Sequence, residues 1–534
     1  MIDRKAALAR ILRQDLAVSI LQLVCAVLLC VIYAVFLTSF GGEFLIVIKG
    51  QWILPIFLVL LLGGSIASLV LSQRSLRAGE RRGDIMDRIQ SSPGRTAWWI
   101  GWTAWNLVAV LPILWVGKVL ALGALGSVPM VLIGVLSLPF VGYAVLFFIS
   151  SLSHLFGLAR GRDPRRLVRG VDLTGGAFLF GFAAFAIVAV FWQPRWTEGV
   201  RHEQLFSAGE EPGRAYRIPA MVVMPGDTLL AFAESRVEGM SDVLDINLVM
   251  KTSVDGGRTW SPLQVVEDIG NHTVHSPSPV YDRDTHSVWL PFCVDYATLY
   301  LTMSGDGGVS WSEPRNLTHE LGLPSGTWCH NGPGNGIQMS SGRLVIPTTQ
   351  GDARVLLSAD HGATWRLGEA IGAGGEPQVF ERADGALCAN LRAARGGHRI
   401  VACSMDQGGT WGPWSYQEDL PEAGTQASIL RFTSGGDGGR NRVLFSNPGA
   451  PYRGEFTMRM SHDEGKSWPV AKLVYEGAAG YSQLAVLSNG SILALFEAGR
   501  YDLRESIALI QVDLPWLTDG ADRLGAGDIV GQGF

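Results

Sequence analysis

One eight-residue pattern, Ser-x-Asp-x-Gly-x-x-Trp, recurs five times in the second half of this 534-residue chain and constrains the fold more than any other feature. The copies begin at Ser253, Ser304, Ser358, Ser404 and Ser461. Their spacing of about fifty residues lies in the range of β-propeller blades. At that spacing, residues from about 200 to 515 hold roughly six blades, so we predict an all-β, six-bladed propeller.

Each residue type in the pattern has a physical role in a tight turn. Asp supplies side-chain acceptors for backbone amides, and Gly permits the positive φ angle that such a turn needs. Trp offers a large apolar surface that can plug the blade below. Every copy follows a β-type segment, so we interpret the pattern as a hairpin turn with a structural role.

The first half of the chain is strongly apolar, and it raises the mean hydropathy of the whole chain to +0.22. Apolar runs long enough to span a bilayer occupy roughly 16–39, 52–72, 97–120, 128–151 and 171–192. A single run could be a buried helix of a soluble protein, but five in series predict membrane helices. We therefore divide the chain into 1–195, an α-helical transmembrane region of about five helices, and 196–534, the propeller.

Basic residues are concentrated in alternate connections between these runs. The N-terminus carries four Lys or Arg residues, the second loop six and the fourth loop five, whereas the first and third loops offer only Lys49 and Lys118. The positive-inside rule then predicts a cytoplasmic N-terminus and a propeller on the extracytoplasmic side. Trp192 and Trp196 predict an interfacial anchor where the chain leaves the bilayer. The lipid bilayer is thus an expected partner, and a net charge of −5 gives no indication of nucleic-acid binding.

Short motifs around the repeats form an ordered series along the chain. They are Tyr216-Arg217-Ile218-Pro219, Glu234-Ser235-Arg236, Gly375-Glu376-Pro377-Gln378, Asn390-Leu391-Arg392 and Gly480-Tyr481-Ser482-Gln483. In kind and order they resemble the exo-α-sialidase (neuraminidase) family, and the repeat resembles the Asp box of that superfamily. The resemblance covers nearly all of 205–515 and implies a sialidase-like propeller. Asp boxes also occur in propellers without enzymatic activity, so the repeat alone indicates the fold rather than the chemistry.

The chemistry of a sialidase explains which residue types the motifs should supply. A sialic acid carries a carboxylate on its anomeric carbon, and the planar fork of Arg binds a carboxylate well. A carboxylate nucleophile would be repelled there, and sialidases use a Tyr instead. A phenol with a pKa near 10 needs a neighbouring carboxylate to accept its proton. A separate acid must protonate the leaving oxygen.

The resemblance implies a set of residues that bind the substrate. Arg217, Arg392 and Arg453 would hold the carboxylate of the sugar. Glu497, in Leu495-Phe496-Glu497, would orient Arg217. Arg236 would contact the sugar near its 4-position.

The resemblance also implies the catalytic residues. Tyr481 would be the nucleophile, Glu376 would accept its proton, and Asp242 would be the acid and base for the leaving oxygen and the incoming water. Asp245 is the competitor for the role of Asp242. In the same way, Arg459 is the alternative to Arg453, although it lies in the strand that enters the fifth repeat.

We predict retaining hydrolysis of α-linked sialosides on sialylated glycans, with no cofactor and no metal. His272 and His275 lack the surrounding carboxylates that would indicate a metal site. Three alternatives stay open: a non-catalytic sialoside-binding membrane sensor, a glycosidase for a related keto-sugar acid such as Kdo, and a transglycosylase. Four cysteines of the propeller lack metal-ligand spacing and could be free or paired, namely Cys293, Cys329, Cys388 and Cys403.

Overall fold

The computed structural model of the protein describes residues 193–531, apart from 212, 238, 240, 373, 395–396 and 436–438. The five apolar runs, and the basic loops used to orient them, lie outside these residues. Across the described part of the chain, no helix is both long enough and apolar enough to cross a bilayer. The two α-helices there are single turns, α1 (Leu317–Glu320) and α2 (Leu514–Leu517).

Antiparallel strands make up most of the regular structure, beginning with β1 (Arg201–Ser207). The strands that follow form units that we call blades. Blade 1 contains β2 (Arg214–Met224), β3 (Thr228–Val237), β4 (Ile246–Ser253) and β5 (Gln264–Glu267). Blade 2 contains β6 (Val274–His275), β7 (Val280–Asp282), β8 (Ser287–Val294), β9 (Thr298–Ser304) and β10 (Arg315–Asn316). Blade 3 contains β11 (Cys329–Asn331), β12 (Ile337–Gln338), β13 (Leu344–Gln350), β14 (Asp352–Ser358) and β15 (Arg366–Leu367).

Of the remaining blades, blade 4 is a separate sheet, whereas blades 5 and 6 share one long strand. Blade 4 contains β16 (Gly375–Glu381), β17 (Leu387–Arg392), β18 (Gly397–Ser404) and β19 (Ser415–Glu422). Blade 5 contains β20 (Ser428–Gly435), β21 (Arg442–Pro448), β22 (Gly454–Ser461) and the first half of β23 (Val470–Val486), with β26 (Asp528–Val530) paired to β20. Blade 6 contains the second half of β23, then β24 (Ile492–Gly499), β25 (Ser506–Val512) and finally β1. A strand from the start of the described chain therefore completes the last blade.

A buried apolar cluster fills each seam between consecutive blades. Phe432 and Phe496 belong to the seam between blades 5 and 6. Leu229 and Leu493 belong to the seam between blades 6 and 1. Because blade 6 packs against both blade 5 and blade 1, the six blades close into a ring. This ring is the six-bladed propeller that the repeat spacing predicts.

The five repeats form the turns β4–β5, β9–β10, β14–β15, β18–β19 and β22–β23, one in each of blades 1 to 5. In the first repeat, the Ser253 hydroxyl accepts a hydrogen bond from the Gly257 amide at 2.9 Å, and Asp255 accepts one from the Thr259 amide at 2.9 Å. Gly257 has a φ of 79°, in the left-handed region that glycine tolerates. Trp260 packs into the seam with the preceding blade, as does the Trp of each other repeat. The repeat is thus a turn that also joins neighbouring blades.

Trp196 packs against rings of the propeller. Its ring lies 4.4 Å from the Tyr475 ring and 4.1 Å from the His202 ring, centroid to centroid, and it packs on the seam between blades 5 and 6. The interfacial position of Trp196 stays a prediction, and the structure adds that its ring packs on the propeller. Trp192 lies outside the described residues.

The four cysteines of the propeller form two disulfides, which the sequence left open. Cys293–Cys329 joins β8 of blade 2 to β11 of blade 3. Cys388–Cys403 joins two residues that face each other across β17 and β18. The first bond links two blades, whereas the second lies within one blade.

Candidate active site

The first strands of blades 1, 4 and 6 each contain a β-bulge at an equivalent position. The strand register shifts between Arg217 and Ala220 in β2, between Gly375 and Gln378 in β16, and between Ala479 and Ser482 in β23. Ile218 and Glu376, inside two of these bulges, have φ angles of 57° and 44°. A bulge re-aims the side chains around it. Here the three bulges hold Arg217, Glu376 and Tyr481.

The second strands of the same blades end beside these bulges. In blade 4, Arg392 at the end of β17 pairs with Gly375 at the start of β16. In blade 1, Arg236 near the end of β3 pairs with Ala215 near the start of β2. Glu497 occupies the corresponding part of β24 in blade 6. Antiparallel pairing thus gathers candidates from distant parts of the sequence at one end of the ring.

Tyr481 and Glu376 form a buried hydrogen-bonded pair. The Tyr481 hydroxyl donates to Glu376 Oε1 at 2.5 Å, and Arg392 Nη1 donates to the same carboxylate oxygen at 2.9 Å and to the Tyr481 oxygen at 3.2 Å. Burial, followed by the charge of Glu376, raises the pKa of Tyr481. Burial alone would raise the pKa of Glu376, but the charges of Arg392 and His330 bring it below its usual value. In the free protein the proton therefore stays on the phenol, and the carboxylate is ready to accept it.

Three predicted arginines surround the Tyr481 ring or its hydroxyl. The guanidinium carbons of Arg217 and Arg453 lie 5.5 Å and 5.8 Å from the ring centroid, and Arg392 contacts the hydroxyl. Arg453 Nη2 also donates to the Gly424 carbonyl at 2.7 Å. Three cations close to one phenol form a site for an anionic ligand.

Glu497 holds Arg217 in place with two hydrogen bonds. Arg217 Nε lies 2.9 Å from Oε1, and Nη2 lies 3.3 Å from Oε2. The same carboxylate accepts hydrogen bonds from the backbone amides of Ile218 and Tyr481, each at 3.1 Å. Glu497 is fully buried, and it organises the bulges of both blade 1 and blade 6.

Asp242 lies at the solvent side of this site, with 61% of its side chain exposed. Its Oδ1 accepts from Arg236 Nη1 at 2.6 Å and from Arg217 Nη1 at 3.2 Å. Partial burial alone would raise the pKa of Asp242. The charges of Arg236, Arg217 and Arg453 outweigh this effect and bring the pKa below its usual value. The Asp242 carboxylate is therefore paired with two of the predicted substrate-binding arginines, Arg236 and Arg217. The competitor Asp245 instead uses its backbone carbonyl to accept a hydrogen bond from Val237.

Two further residues from the sequence analysis are Arg459, the alternative to Arg453, and Gln483, which ends the motif that contains Tyr481. Arg459 lies in β22, donates to Asn447 Oδ1 at 2.7 Å, and has its pKa lowered to about 10 by burial. Of the two alternatives, Arg453 is the one beside the Tyr481 ring. Gln483 donates from Nε2 to Asn335 Oδ1 at 2.8 Å and so supports the neighbouring segment from blade 3.

An aromatic cluster beside Asp242 was missed by sequence reasoning. Tyr296 donates its hydroxyl to the Asp242 carbonyl at 3.0 Å. The Tyr296 ring lies 3.9 Å from the His275 ring, 4.7 Å from the Trp328 ring and 6.2 Å from the His330 ring. These residues come from blades 2 and 3, where no motif pointed to them. The sequence offered one signal for three of them: Tyr296, Trp328 and His330 lie within three residues of Cys293 or Cys329.

One group of side chains has the composition of a cation site, but its buried carboxylate already accepts hydrogen bonds from neighbouring side chains. Candidate ligand atoms of Asp282, Asp284 and His361 lie within 4.8 Å of one another. The buried Asp282 carboxylate already accepts from Thr285 Oγ1 at 2.8 Å and from Gln338 Nε2 at 2.9 Å. The group therefore joins the turns of blades 2 and 3.

Comparisons with known proteins agree with this architecture. A family model described as a BNR repeat-like domain matches residues 227–493. A sialidase of Micromonospora viridifaciens is 33% identical over 366 residues, which cover 61% of this chain and 55% of that protein. An exo-alpha-sialidase of Aspergillus fumigatus is 30% identical over 357 residues, which cover 58% of this chain and 86% of that protein. The chain thus spans little more than half of the Micromonospora protein but most of the Aspergillus one.

A comparison with solved structures also finds similarity to a sialidase. The Hadza microbial sialidase Hz136 superposes with a TM-score of 0.54 at 27% sequence identity, covering 59% of this chain and 69% of that one. The matched family model covers half of the chain, and the Aspergillus relative is covered over most of its length. The chain belongs to the sialidase family.

Proposed function

We propose that this protein is a membrane-anchored exo-α-sialidase that hydrolyses terminal α-linked sialic acids from glycans with retention of configuration. The observation that carries this proposal is the 2.5 Å hydrogen bond between Tyr481 and Glu376 among three arginines. Arg217, Arg392 and Arg453 bind the carboxylate of the sugar. That carboxylate would repel an anionic nucleophile, whereas a neutral phenol can approach it.

In the first step, the Tyr481 oxygen forms a bond to the anomeric carbon while the bond to the leaving oxygen breaks. The phenol proton passes to Glu376 Oε1, and Asp242 gives its proton to the leaving oxygen. The raised pKa of Tyr481 means that its proton leaves only as the new bond forms. The product of this step is a sugar bound covalently to Tyr481.

In the second step, water attacks the same carbon and its proton passes to Asp242. The bond to Tyr481 breaks, and the phenol recovers its proton from Glu376. Two inversions give overall retention, and every group returns to its starting state.

Asp242 must carry a proton to act as the acid, yet the neighbouring arginines favour its ionised form. The substrate resolves this conflict, because its carboxylate neutralises part of the arginine charge when it binds. The pKa of Asp242 then rises in the complex. Binding of the anionic sugar therefore prepares the acid that cleaves it.

We further propose that residues 1–195 anchor the propeller in the membrane and that the propeller faces the extracytoplasmic side. Alternating basic loops support the orientation. The two disulfides of the propeller support an oxidising compartment. Protease treatment of intact cells and of inverted vesicles tests this proposal, because only the intact cells should lose the propeller. Protection in intact cells would reverse the orientation.

The enzymatic proposal is tested by fluorophore release from 4-methylumbelliferyl α-sialoside, using the detergent-solubilised full chain. Tyr481→Phe should reduce the rate by about 10³-fold or more, the scale for loss of a nucleophile. Tyr475→Phe is the matched control, because Tyr475 lies in the same strand, is 5% exposed like Tyr481, and donates its hydroxyl to the Gly499 carbonyl. This control should keep its activity.

A folded wild type that releases no fluorophore would overturn the sialidase proposal. Turnover of a Kdo glycoside instead would identify an enzyme for a related keto-sugar acid. Binding of sialosides without turnover of either substrate would identify a sensor. A Tyr481→Phe variant that keeps the activity of the Tyr475→Phe control would exclude Tyr481 as the nucleophile.

A further inference from the structure

A buried ion pair lies next to the backbone segments that contact Arg392 and Arg453. Arg399 in β18 and Glu422 at the end of β19 are 0% and 3% exposed, and Arg399 Nη1 lies 2.8 Å from Glu422 Oε2. Neither residue belongs to a family motif quoted above. Burial of two charges is costly, and an apolar pair of the same volume is often as stable or more so. A stability role alone therefore explains this pair poorly.

Glu422 fixes the backbone on both sides of the pair. Its Oε1 accepts from the Gly424 amide at 2.7 Å and from the Thr425 amide at 3.2 Å. Its Oε2 accepts from the amide of Ala393, the residue after Arg392, at 3.1 Å. One carboxylate thus ties the end of β17 to the connection formed by residues 422–426.

Arg399 completes the same arrangement from the other side. Its Nη1 donates to the Thr425 carbonyl at 2.8 Å, and its Nε donates to Asn390 Oδ1 at 2.7 Å. Asn390 lies two residues before Arg392, so both residues project from the same face of β17. The guanidinium therefore joins the strand that carries Arg392 to the 422–426 connection.

The 422–426 connection in turn contacts the rest of the site. The Gly424 carbonyl accepts from Arg453 Nη2 at 2.7 Å. Gln426 bonds both the amide and the carbonyl of Ser482, the residue after Tyr481, at 3.1 Å and 2.9 Å. The connection is therefore bonded both to a predicted substrate-binding arginine and to the backbone beside the predicted nucleophile.

We propose that the Arg399–Glu422 ion pair positions Arg392 and Arg453 to bind the substrate carboxylate together. The proposal rests on the proposed function for the identity of the ligand. Neither member of the pair touches the substrate. Both act through the backbone around residue 393 and through the Gly424 carbonyl.

The test compares Glu422→Gln with Asp522→Asn in the full chain. Asp522 is the matched control, because it is 7% exposed and pairs with the buried Arg442 at 2.7 Å in blade 5, away from the predicted site residues. We measure kcat and KM for the sialoside, inhibition by free N-acetylneuraminic acid, and thermal unfolding. We expect Glu422→Gln to raise KM and the inhibition constant about tenfold or more, and Asp522→Asn to change neither by more than about twofold.

A double-mutant cycle with Arg453→Lys separates an effect of Glu422 on the position of Arg453 from a general loss of order in the site. If Glu422 acts through Arg453, Glu422→Gln should weaken sialic acid binding much less in the Arg453→Lys background than in the wild type. Full additivity would overturn the role of Arg453, and equal effects of Glu422→Gln and Asp522→Asn on KM would overturn the proposal as a whole.

Two further measurements keep the proposal testable. If Glu422→Gln does not fold, Arg399→Lys keeps the charge but loses the fork that reaches Asn390 and Thr425, and it should still raise the inhibition constant. If the wild type binds sialic acid without hydrolysing the sialoside, the proposed function fails. The dissociation constants of these variants for sialic acid then decide the positioning role by themselves.

Discussion

The Tyr481 hydroxyl lies 2.5 Å from Oε1 of Glu376, although the two residues are 105 positions apart and belong to different blades. Burial and the charge of Glu376 raise the pKa of Tyr481, and Arg392 keeps the carboxylate ionised despite its burial. The pair is therefore polarised before any ligand arrives. Its short contact is held from both blades by the bulges that carry the two side chains.

Glu376→Gln should lower kcat by about 10² to 10⁴-fold, the range for loss of a general base. The amide still fits beside Tyr481 but cannot take its proton, so KM should change much less than kcat. Steady-state kinetics on the sialoside measure both. Glu381→Gln, at the other end of β16, is the control and should behave as the wild type. A large rise in KM at unchanged kcat would assign Glu376 to binding instead.

The pH dependence should differ between free enzyme and complex. The pKa of Asp242 is lowered in the free protein, and its protonated form is the active one, so kcat/KM should fall as pH rises through that low pKa. In the complex the substrate carboxylate offsets the arginine charge, so the falling limb of kcat should lie at higher pH. Initial rates from about pH 3 to about pH 8 measure both limbs.

Removing one arginine tests the cause of this shift. Arg236→Met removes the 2.6 Å contact with Asp242, so the falling limb of kcat/KM should move to higher pH even though substrate binding weakens. Coincident limbs for kcat and kcat/KM in the wild type would contradict the role given to the substrate carboxylate.

Gly362→Ala should destabilise the propeller more than Gly351→Ala. Both glycines have positive φ angles, 84° and 74°, so both variants pay a similar backbone strain of about 1–2 kcal/mol. A Cβ at residue 362 would also lie 2.1 Å from the Trp289 ring, whereas a Cβ at residue 351 meets nothing within 4 Å. Overpacking adds about 1–3 kcal/mol at Gly362 alone. Thermal unfolding followed by Trp fluorescence compares them, and equal losses would show that the turn does not pack tightly on blade 2.

Replacing Cys293 and Cys329 together by Ala should lower the free energy of unfolding by about 3–4 kcal/mol, because the bond closes a 36-residue loop. It should also raise KM, since Tyr296 follows Cys293 closely and holds the Asp242 carbonyl. The double Ala variant of Cys388 and Cys403 is the control, and it should lose stability without a change in KM. Unchanged KM in both variants would show that the Cys293–Cys329 disulfide does not influence substrate binding.

Much of the propeller follows from local chemistry that a sequence displays. The Asp-box turns depend on a Ser, an Asp and a Gly within a few residues, so their hydrogen bonds could be predicted. The six-blade count followed from their spacing. Resemblance to the family supplied the candidate residues, and the structure brings Arg217, Glu376 and Tyr481 to one end of the ring.

Other features depend on long-range contacts and could not be predicted. The bulges at Ile218 and Glu376 use residue types that rarely adopt a positive φ, so no glycine marked them. Arg399 and Glu422 are charged residues in strands, which sequence patterns treat as exposed, and only the fold shows that they are buried. The packing of Trp196 on Tyr475 could not be predicted either, because the two residues are distant in the chain.

The closure of the ring by β1 has a consequence for synthesis of the protein. Arg201 and its partner Gln511 are 310 residues apart, and translation at ~5–20 residues per second separates their appearance by roughly 15 to 60 s. For most of that interval β1 is outside the ribosome while its pairing strand, β25, does not yet exist. A nascent chain in this state presents an open strand edge to any neighbouring copy. The strand that covers the edge of β1 is thus β25, which is among the last to be made.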